Sequence, residues 1–316
     1  MRRRALGIAV ALGSAALAAL VAWSRREVRR GETAFPPQGR VLELPSGARL
    51  HVVEEGDGAP PVVFVHGADG VALSFTETVT AEVARAHRAV ALDRPGHGWS
   101  TLPPGAVAGV ATDVGVIREG MAALGVTRPT VVGHSYGSLV ALAWALDRPD
   151  EVRALVLLSP VATYPWRLPA WVLRPAGVPL LGRALTETFV VPVGRAVLGP
   201  LTRHAFFPQD VPERYREYSR ALYARPAQFR ALASEYAKLR DDVRSLEPRF
   251  GELALPVEIV VGEEDQVTRA RLHAERLARE VPAARLTVLP GVGHELMWTR
   301  PDAIVDAVRR AEERSR

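Results

Sequence analysis

The chain offers its most specific chemistry where one serine sits between two glycines. The stretch Thr130-Val131-Val132-Gly133-His134-Ser135-Tyr136-Gly137-Ser138 carries a β-branched run into Ser135, and an apolar, alanine-rich helical pattern follows from Leu139 to Leu146. Strand, sharp turn and helix are implied. A nucleophile on such a turn takes a strained backbone, and side chains two residues to either side would strike the adjoining strand or helix. Glycine at 133 and 137 removes both collisions. The turn also sets Ser135 Oγ at a helix N-terminus, where free N–H groups and the helix dipole favour an oxyanion. A G-x-S-x-G pentapeptide occurs often by chance, so its partners must decide what it means.

Two loops late in the chain supply candidates. Gly262-Glu263-Glu264-Asp265-Gln266-Val267 and Pro290-Gly291-Val292-Gly293-His294-Glu295 each follow an apolar run and each contain a residue able to serve a serine nucleophile. Taken singly, Asp265 reads as a helix N-cap ahead of 267–280, and His294 as a satisfied structural histidine. Taken with the elbow, His294 reads as general base and Asp265 as the acid that orients it, and the chain order Ser, Asp, His suits one scaffold. An earlier loop, His66-Gly67-Ala68-Asp69-Gly70, leaves another apolar run. Its glycines let the backbone approach closely, so the Ala68 N–H becomes one oxyanion donor and the N–H of Tyr136 the other. His66 and Gly67 support that loop, as Gly133 and Gly137 support the elbow; the competing reading is an ordinary glycine-rich turn.

These loops need a common edge. Residues 40–44 and 48–53 read as two strands about a Pro45-Ser46-Gly47 turn, with further buried strands at 61–65, 87–92, 152–159, 256–261 and 285–289. A helical pattern over 107–124 stops at Gly125. Strands alternating with helices predict a mostly parallel sheet covered on both faces, whose strand ends share one edge where the loops converge. The loop Asp93-Arg94-Pro95-Gly96-His97-Gly98-Trp99-Ser100 is given a structural role. Between 161 and 250 the rhythm breaks. Proline-broken apolar pieces at 164–176 and 178–191 precede two better helices, one opened by Asp210 and Pro212, the other with Phe229, Leu232, Tyr236 and Leu239 on one face. This block reads as an inserted helical cap.

Composition narrows the functional classes. The chain has 316 residues, no cysteine and a net charge of +5. Disulfides and thiolate metal sites are therefore excluded. Seven arginines against Glu27 lie within residues 1–30, which leaves −1 for everything after them. No basic stripe or nucleic-acid module remains, so no nucleic-acid partner is expected. The histidines show no metal-ligand spacing such as H-E-x-x-H, and neither metal nor cofactor is called for.

Residues 5–23 form a run without charge, bounded by Arg2-Arg3-Arg4 and Arg25-Arg26. As a helix it spans roughly 28 Å against a hydrocarbon thickness of about 30 Å. A retained single-pass membrane anchor is expected, with cleavage after Ala16-Leu17-Ala18 and release to the periplasm or exterior as the alternative. The domain layout is then 1–30 anchor and flanks, 31–160 first part of the core, 161–250 cap, and 251–316 second part of the core.

On these motifs, together with Asp93-x-Pro-Gly-x-Gly-x-Ser100, the chain from about residue 40 resembles the α/β-hydrolase superfamily in its cap-bearing group. That group includes esterases, lipases, epoxide hydrolases and carbon–carbon bond hydrolases. The resemblance implies Ser135 as nucleophile, His294 as base and Asp265 as acid. Some relatives carry the acid after an earlier strand, but here that place reads Ser159-Pro160; Glu263 and Glu264 precede the family position. Epoxide hydrolases and haloalkane dehalogenases of this type use an aspartate at the elbow, so a serine suits attack on a carbonyl. The implied activity is hydrolysis of carboxylic esters, small-molecule substrates, through an acyl-enzyme; a preference for apolar acyl groups is expected from the apolar cap and the anchor. Alternatives are carbon–carbon hydrolysis or cofactor-free perhydrolysis with the same triad and, from a different class, a non-catalytic binding member of the fold. Activity is expected to fall below about pH 6.5, where an ordinary histidine protonates.

Overall fold

The computed structural model describes residues 2–163 and 181–316. Short β-branched and aliphatic runs, too short for stable helices, become the strands of one sheet: β1 (Arg40–Glu43), β2 (Arg49–Glu55), β3 (Val62–Val65), β4 (Ala89–Leu92), β5 (Thr130–His134), β6 (Ala154–Leu158), β7 (Val257–Gly262) and β8 (Ala284–Leu289). Their spatial order is β1-β2-β4-β3-β5-β6-β7-β8. The hairpin β1/β2 and the β2/β4 pair are antiparallel, and every pairing from β4 through β3 to β8 is parallel. The alternating and repeating pattern of the sequence therefore gives the mostly parallel sheet it predicts.

The helices are α1 (Arg2–Ala34), α2 (Leu73–Thr76), α3 (Thr80–Val83), α4 (Val110–Ala123), α5 (Tyr136–Asp147), α6 (Leu181–Phe206), α7 (Glu213–Leu222), α8 (Pro226–Leu246), α9 (Ala270–Glu280), α10 (Leu296–Thr299) and α11 (Pro301–Arg314). Because side chains alternate across a strand, β3 sends Val63 and Val65 into one core and Val62 and Phe64 into the other. The first core is closed by α4, α5, α8 and α9, the second by α3, α10 and α11. Strands buried on both faces need the continuous apolar runs seen here. The parallel strands end at one edge, and from it leave the loops that carry His66, Asp93, Ser135, Ser159, Asp265 and His294.

The segment between β6 and β7 contains α6, α7 and α8. The stretch expected at 164–176, and the start of that at 178–191, lie outside the described residues. Where α6 is described, it runs unbroken through Pro192 and Pro200, contrary to the proline-broken pieces expected. Tertiary packing explains this: α6 lies against α1, α7 and α8, and such burial outweighs local propensity. Helix α8 also differs from its apolar periodicity. The residues it buries are Pro226, Gln228, Ala231, Ala233, Glu235, Leu239, Val243 and Leu246; of the face read from the sequence Leu239 is among them and Tyr236 packs partly buried on the same core, whereas Phe229 and Leu232 are half-buried.

The N-terminal expectation is corrected. Among the described residues no helix is long and apolar enough to cross a membrane, so the single-pass anchor, the membrane partner and the membrane localisation do not stand. Eleven of the positions from 5 to 23 are Ala, Gly or Ser, which bury little apolar area each. Nor do the arginines close the helix. It continues as one 33-residue element to Ala34, and its second half docks on α6 and α7. There Gly31 lies so close to α7 that an added Cβ would sit 2.5 Å from the Ala221 carbonyl oxygen. Glu27 pairs with Arg195, whose guanidinium also covers the Trp23 ring at 5.2 Å, and Glu32 pairs with Arg225 at 3.4 Å.

Candidate active site

Ser135 stands between β5 and α5 with φ 52° and ψ −118°, a left-handed conformation that a residue with a Cβ rarely takes. The glycines on either side permit it. A Cβ on Gly133 would lie 2.5 Å from the Gly137 carbonyl oxygen, and one on Gly137 would lie 2.2 Å from that of Val65. The Ser135 N–H donates to Leu158 O at 2.9 Å, and Ser138 Oγ donates to Ser135 O, so the turn is fastened on both sides. The serine itself is 9% exposed.

At the ends of β7 and β8, His294 Nδ1 meets Asp265 Oδ2 at 2.9 Å. Asp265 is buried and its other contacts hold it still: Oδ1 accepts the N–H groups of Val267 at 2.8 Å and Thr268 at 2.9 Å, and Oδ2 accepts Thr268 Oγ1 at 2.6 Å. Glu263 and Glu264 are exposed beside it. The acid and base loops pack closely, since a Cβ on Gly262 would fall 2.2 Å from Val292 O. His294 N–H donates to Ala205 O of α6 at 2.9 Å, and Gly293 N–H to Gln209 Oε1 at 3.1 Å. His134, one residue before the serine, closes the circle: its ring centroid is 4.7 Å from that of His294, and its Nε2 donates to His294 O at 3.2 Å. Ser159 Oγ donates to the same oxygen at 3.3 Å. The structure therefore brings the Ser135, Asp265 and His294 loops together.

The electrostatics follow from burial and from this pairing. Burial resists charge on His294, but the Asp265 carboxylate and its hydrogen bond outweigh it and leave the imidazole above its ordinary value. Burial likewise opposes the Asp265 charge, yet the His294 imidazolium and the Thr268 donors hold that carboxyl well below its usual range. His134 is pushed down to about 3 by burial and by the His294 charge, so it stays neutral. Glu295, next in the chain and hydrogen-bonded to Tyr215 at 3.4 Å, is pushed up to about 7, chiefly by burial.

The loop at 66–68 lies against the elbow. A Cβ on Gly67 would stand 3.3 Å from Ser135 Cβ and 3.1 Å from His134 Nδ1. Burial and the charge of Arg94 keep His66 neutral; its Nδ1–H donates to Gly67 O at 2.8 Å and its Nε2 accepts the Arg94 N–H at 2.9 Å. Tyr136 is the first residue of α5, so its N–H has no partner within the helix. Its side chain points into the core, with the Arg94 guanidinium 4.6 Å above the ring.

Among the described residues, His134, His294 and Glu295 bring ligand atoms within 4.8 Å of one another. Hydrogen bonds occupy one ligand atom of each: His294 Nδ1, His134 Nε2 and Glu295 Oε1. Sequence reasoning missed three buried residues at this edge: Arg94, Asp113 and Glu235. The signals available were an Asp-Arg pair closing an apolar strand and an acid on the face of α8 that turns inward.

The chain matches the alpha/beta hydrolase fold family over residues 60–301. It is 29% identical over 270 residues to the polyketide synthase ThaQ of Burkholderia thailandensis, covering 85% of this chain and 12% of that much longer protein. It is 27% identical over 289 residues to haloalkane dehalogenase 2 of Mycobacterium tuberculosis, covering 87% of this chain and 94% of the relative. Among solved structures it is similar to an alpha/beta hydrolase fold protein from Burkholderia ambifaria, with TM-score 0.72, 24% identity, and 85% and 96% of the two chains covered.

Proposed function

The chain belongs to the alpha/beta hydrolase fold family, and from that premise we propose that it is a serine hydrolase cleaving carboxylic esters of apolar acyl groups through an acyl-enzyme on Ser135. The observation that carries this reading is the strained Ser135 elbow set beside a buried His294–Asp265 pair at 2.9 Å. In this mechanism neutral His294 Nε2 takes the Oγ proton as the oxygen attacks the ester carbonyl. Asp265 holds the proton on Nδ1, which leaves Nε2 free to accept. The N–H groups of Ala68 and Tyr136 receive the developing oxyanion, and His294 returns its proton to the leaving alkoxide. Water activated by the same imidazole then releases the acid.

A serine rather than a carboxylate at the elbow favours this chemistry over displacement at a saturated carbon. Its acyl-enzyme is an ordinary ester, resolved when water attacks the same carbonyl carbon and the bond from that carbon to Ser135 Oγ breaks. The acyl preference rests on the segment between β6 and β7, read as a cap over the site. Its residues Phe206, Tyr215, Tyr218, Leu222 and Tyr223 form an apolar cluster with Val71 of the oxyanion loop side. Trp298, just past the base loop, packs on that cluster, with ring centroids 5.7 Å from Tyr215.

The test is a p-nitrophenyl ester series of increasing acyl length, assayed with the wild type and Ser135→Ala. The reading expects kcat/KM to rise with acyl length and the variant to lose about 10⁴-fold or more in kcat. Hydrolysis confined to acetate esters would remove the acyl preference. Hydrolysis undiminished in Ser135→Ala would remove the mechanism.

A further inference from the structure

We infer that Arg94, gripped by Glu235 of α8 and Asp113 of α4, is a positioning residue that aims the Ala68 N–H at the oxyanion and so ties the oxyanion donor to the seating of α8. This rests on the serine-hydrolase reading above. The starting point is how the guanidinium spends its donors. Nε donates to His66 O at 3.1 Å, while Nη2 donates to Gly67 O at 3.0 Å and Ala68 O at 3.1 Å. One side chain thus holds three consecutive carbonyls of the oxyanion loop.

The middle carbonyl matters most. In a trans peptide the C=O of one residue and the N–H of the next point in opposite directions within the same rigid plane. Gly67 O accepts both Arg94 Nη2 and His66 Nδ1, so both of its lone pairs are engaged and the plane cannot rotate freely. The Ala68 N–H belongs to that plane and is directed away from the guanidinium. A cation at the carbonyl end also polarises the peptide and strengthens its N–H as a donor. The other proposed donor belongs to Tyr136, whose ring lies under the same guanidinium. Arg94 therefore touches both oxyanion elements without reaching the substrate.

The opposite side of Arg94 is fixed by acids. Nη1 donates to Asp113 Oδ2 at 2.7 Å and to Glu235 Oε1 at 2.6 Å, and Nη2 donates to Glu235 Oε2 at 3.2 Å. All three side chains are fully buried. His97, neutral through burial, donates from Nε2 to Glu235 Oε1 at 2.8 Å and holds the acid in register. Asp113 comes from α4 in the core, whereas Glu235 comes from α8 in the segment between β6 and β7. Movement of α8 would withdraw one wall of the clamp. A buried ion pair of this kind is weak grounds for stability, since well-packed apolar residues often do as well, so its presence points to geometric specification.

The test uses the full chain with Arg94→Lys and Glu235→Gln. Lysine keeps the charge but presents one nitrogen, which cannot span three carbonyls and two carboxylates. Glutamine keeps shape and hydrogen bonding but drops the charge. For each protein, kcat and KM for a p-nitrophenyl ester are expressed per active site, counted by exhaustive fluorophosphonate titration, alongside the rate of fluorophosphonate labelling and the melting temperature. Loss of a properly aimed donor is worth about 10²-fold or more in kcat. Arg94→Lys should fall by about that factor with KM within about threefold, and Glu235→Gln by about tenfold. The labelling rate should fall in parallel, because the phosphoryl oxygen uses the same donors.

A merely structural network would lower the melting temperature and the titrated fraction while leaving kcat per site within about twofold of wild type, and that result overturns the inference. Should Arg94→Lys fail to fold, Glu235→Gln decides by the same criterion. Failure of the underlying reading looks different: wild type would take no label at Ser135, which removes this inference with it. Failure of the clamp alone leaves Ser135 labelled at unchanged rate in both variants.

Discussion

Replacing Asp265 by asparagine is a sharp test, because the surroundings decide which way the new amide must face. Oδ1 accepts two backbone N–H groups, those of Val267 and Thr268, at 2.8 and 2.9 Å. An NH₂ group placed there would confront both donors, so the asparagine oxygen takes that position and its NH₂ takes the place of Oδ2. That place faces His294 Nδ1 at 2.9 Å and the Thr268 hydroxyl, which can rotate to accept. The imidazole is then driven to the tautomer with its proton on Nε2, where it cannot accept from Ser135. A buried acid that sets the tautomer of a catalytic histidine is worth about 10⁴ in kcat in a serine protease triad, or about 5.5 kcal/mol. The fold should barely notice, since the two backbone bonds survive. The assay is kcat for a p-nitrophenyl ester, with urea unfolding as the check on stability. A fall of about 10⁴ with stability unchanged to within about 1 kcal/mol is expected. Activity within tenfold of wild type would refute the tautomer argument, and with it the role of Asp265.

Other consequences concern pH and packing. Base catalysis needs neutral His294, and its raised value places the acidic limb of kcat/KM above about 6.5; a limb at or below the ordinary histidine value would contradict the pairing with Asp265. Glu295, which ionises at about 7, adds negative charge beside that imidazole once deprotonated, so Glu295→Gln should move the same limb to lower pH, and an unmoved profile would show that the two groups do not communicate. Gly137→Ala forces a Cβ to within 2.2 Å of the Val65 carbonyl oxygen and 2.6 Å of that of His66. The cost should reach the upper range of overpacking, about 3 kcal/mol in urea unfolding. By contrast Gly115, exposed in the middle of α4 with nothing within 4 Å of its added Cβ, should gain about 1 kcal/mol on replacement by alanine. Equal effects at the two glycines would mean that the elbow is not close-packed.

How far the sequence could be read depended on whether a feature was local. The elbow, the loops after β3, β7 and β8, and the parallel sheet that joins their ends each follow from a short apolar run closed by glycine, and these were legible. Ser135, Asp265 and His294 were read together because one scaffold places strand ends at a common edge whatever lies between, and their loops do leave the sheet at that edge. The course of α6 was not legible, because Pro192 and Pro200 disfavour a helix locally and only packing against α1, α7 and α8 restores it. The buried face of α8 was legible only in part, at Tyr236 and Leu239, because apolar periodicity looks for hydrophobic residues, while Gln228 and Glu235 turn inward to meet partners from distant segments. Arg94 escaped for the same reason: its acids lie on helices, Asp113 on the next one and Glu235 far along the chain. The arginines at 25–30 looked like the end of an apolar run, yet the helix passes through them, and Arg25 meets Glu187 of α6 at 3.6 Å.

Intact-mass and peptide mapping after fluorophosphonate treatment bears most directly on the central claim, that the Ser135 hydroxyl is the group made reactive at this sheet edge. One adduct per chain is predicted, on the peptide that contains Ser135, absent after prior heat denaturation and absent in Ser135→Ala. An adduct on another residue, or undiminished labelling of the alanine variant, would contradict the account.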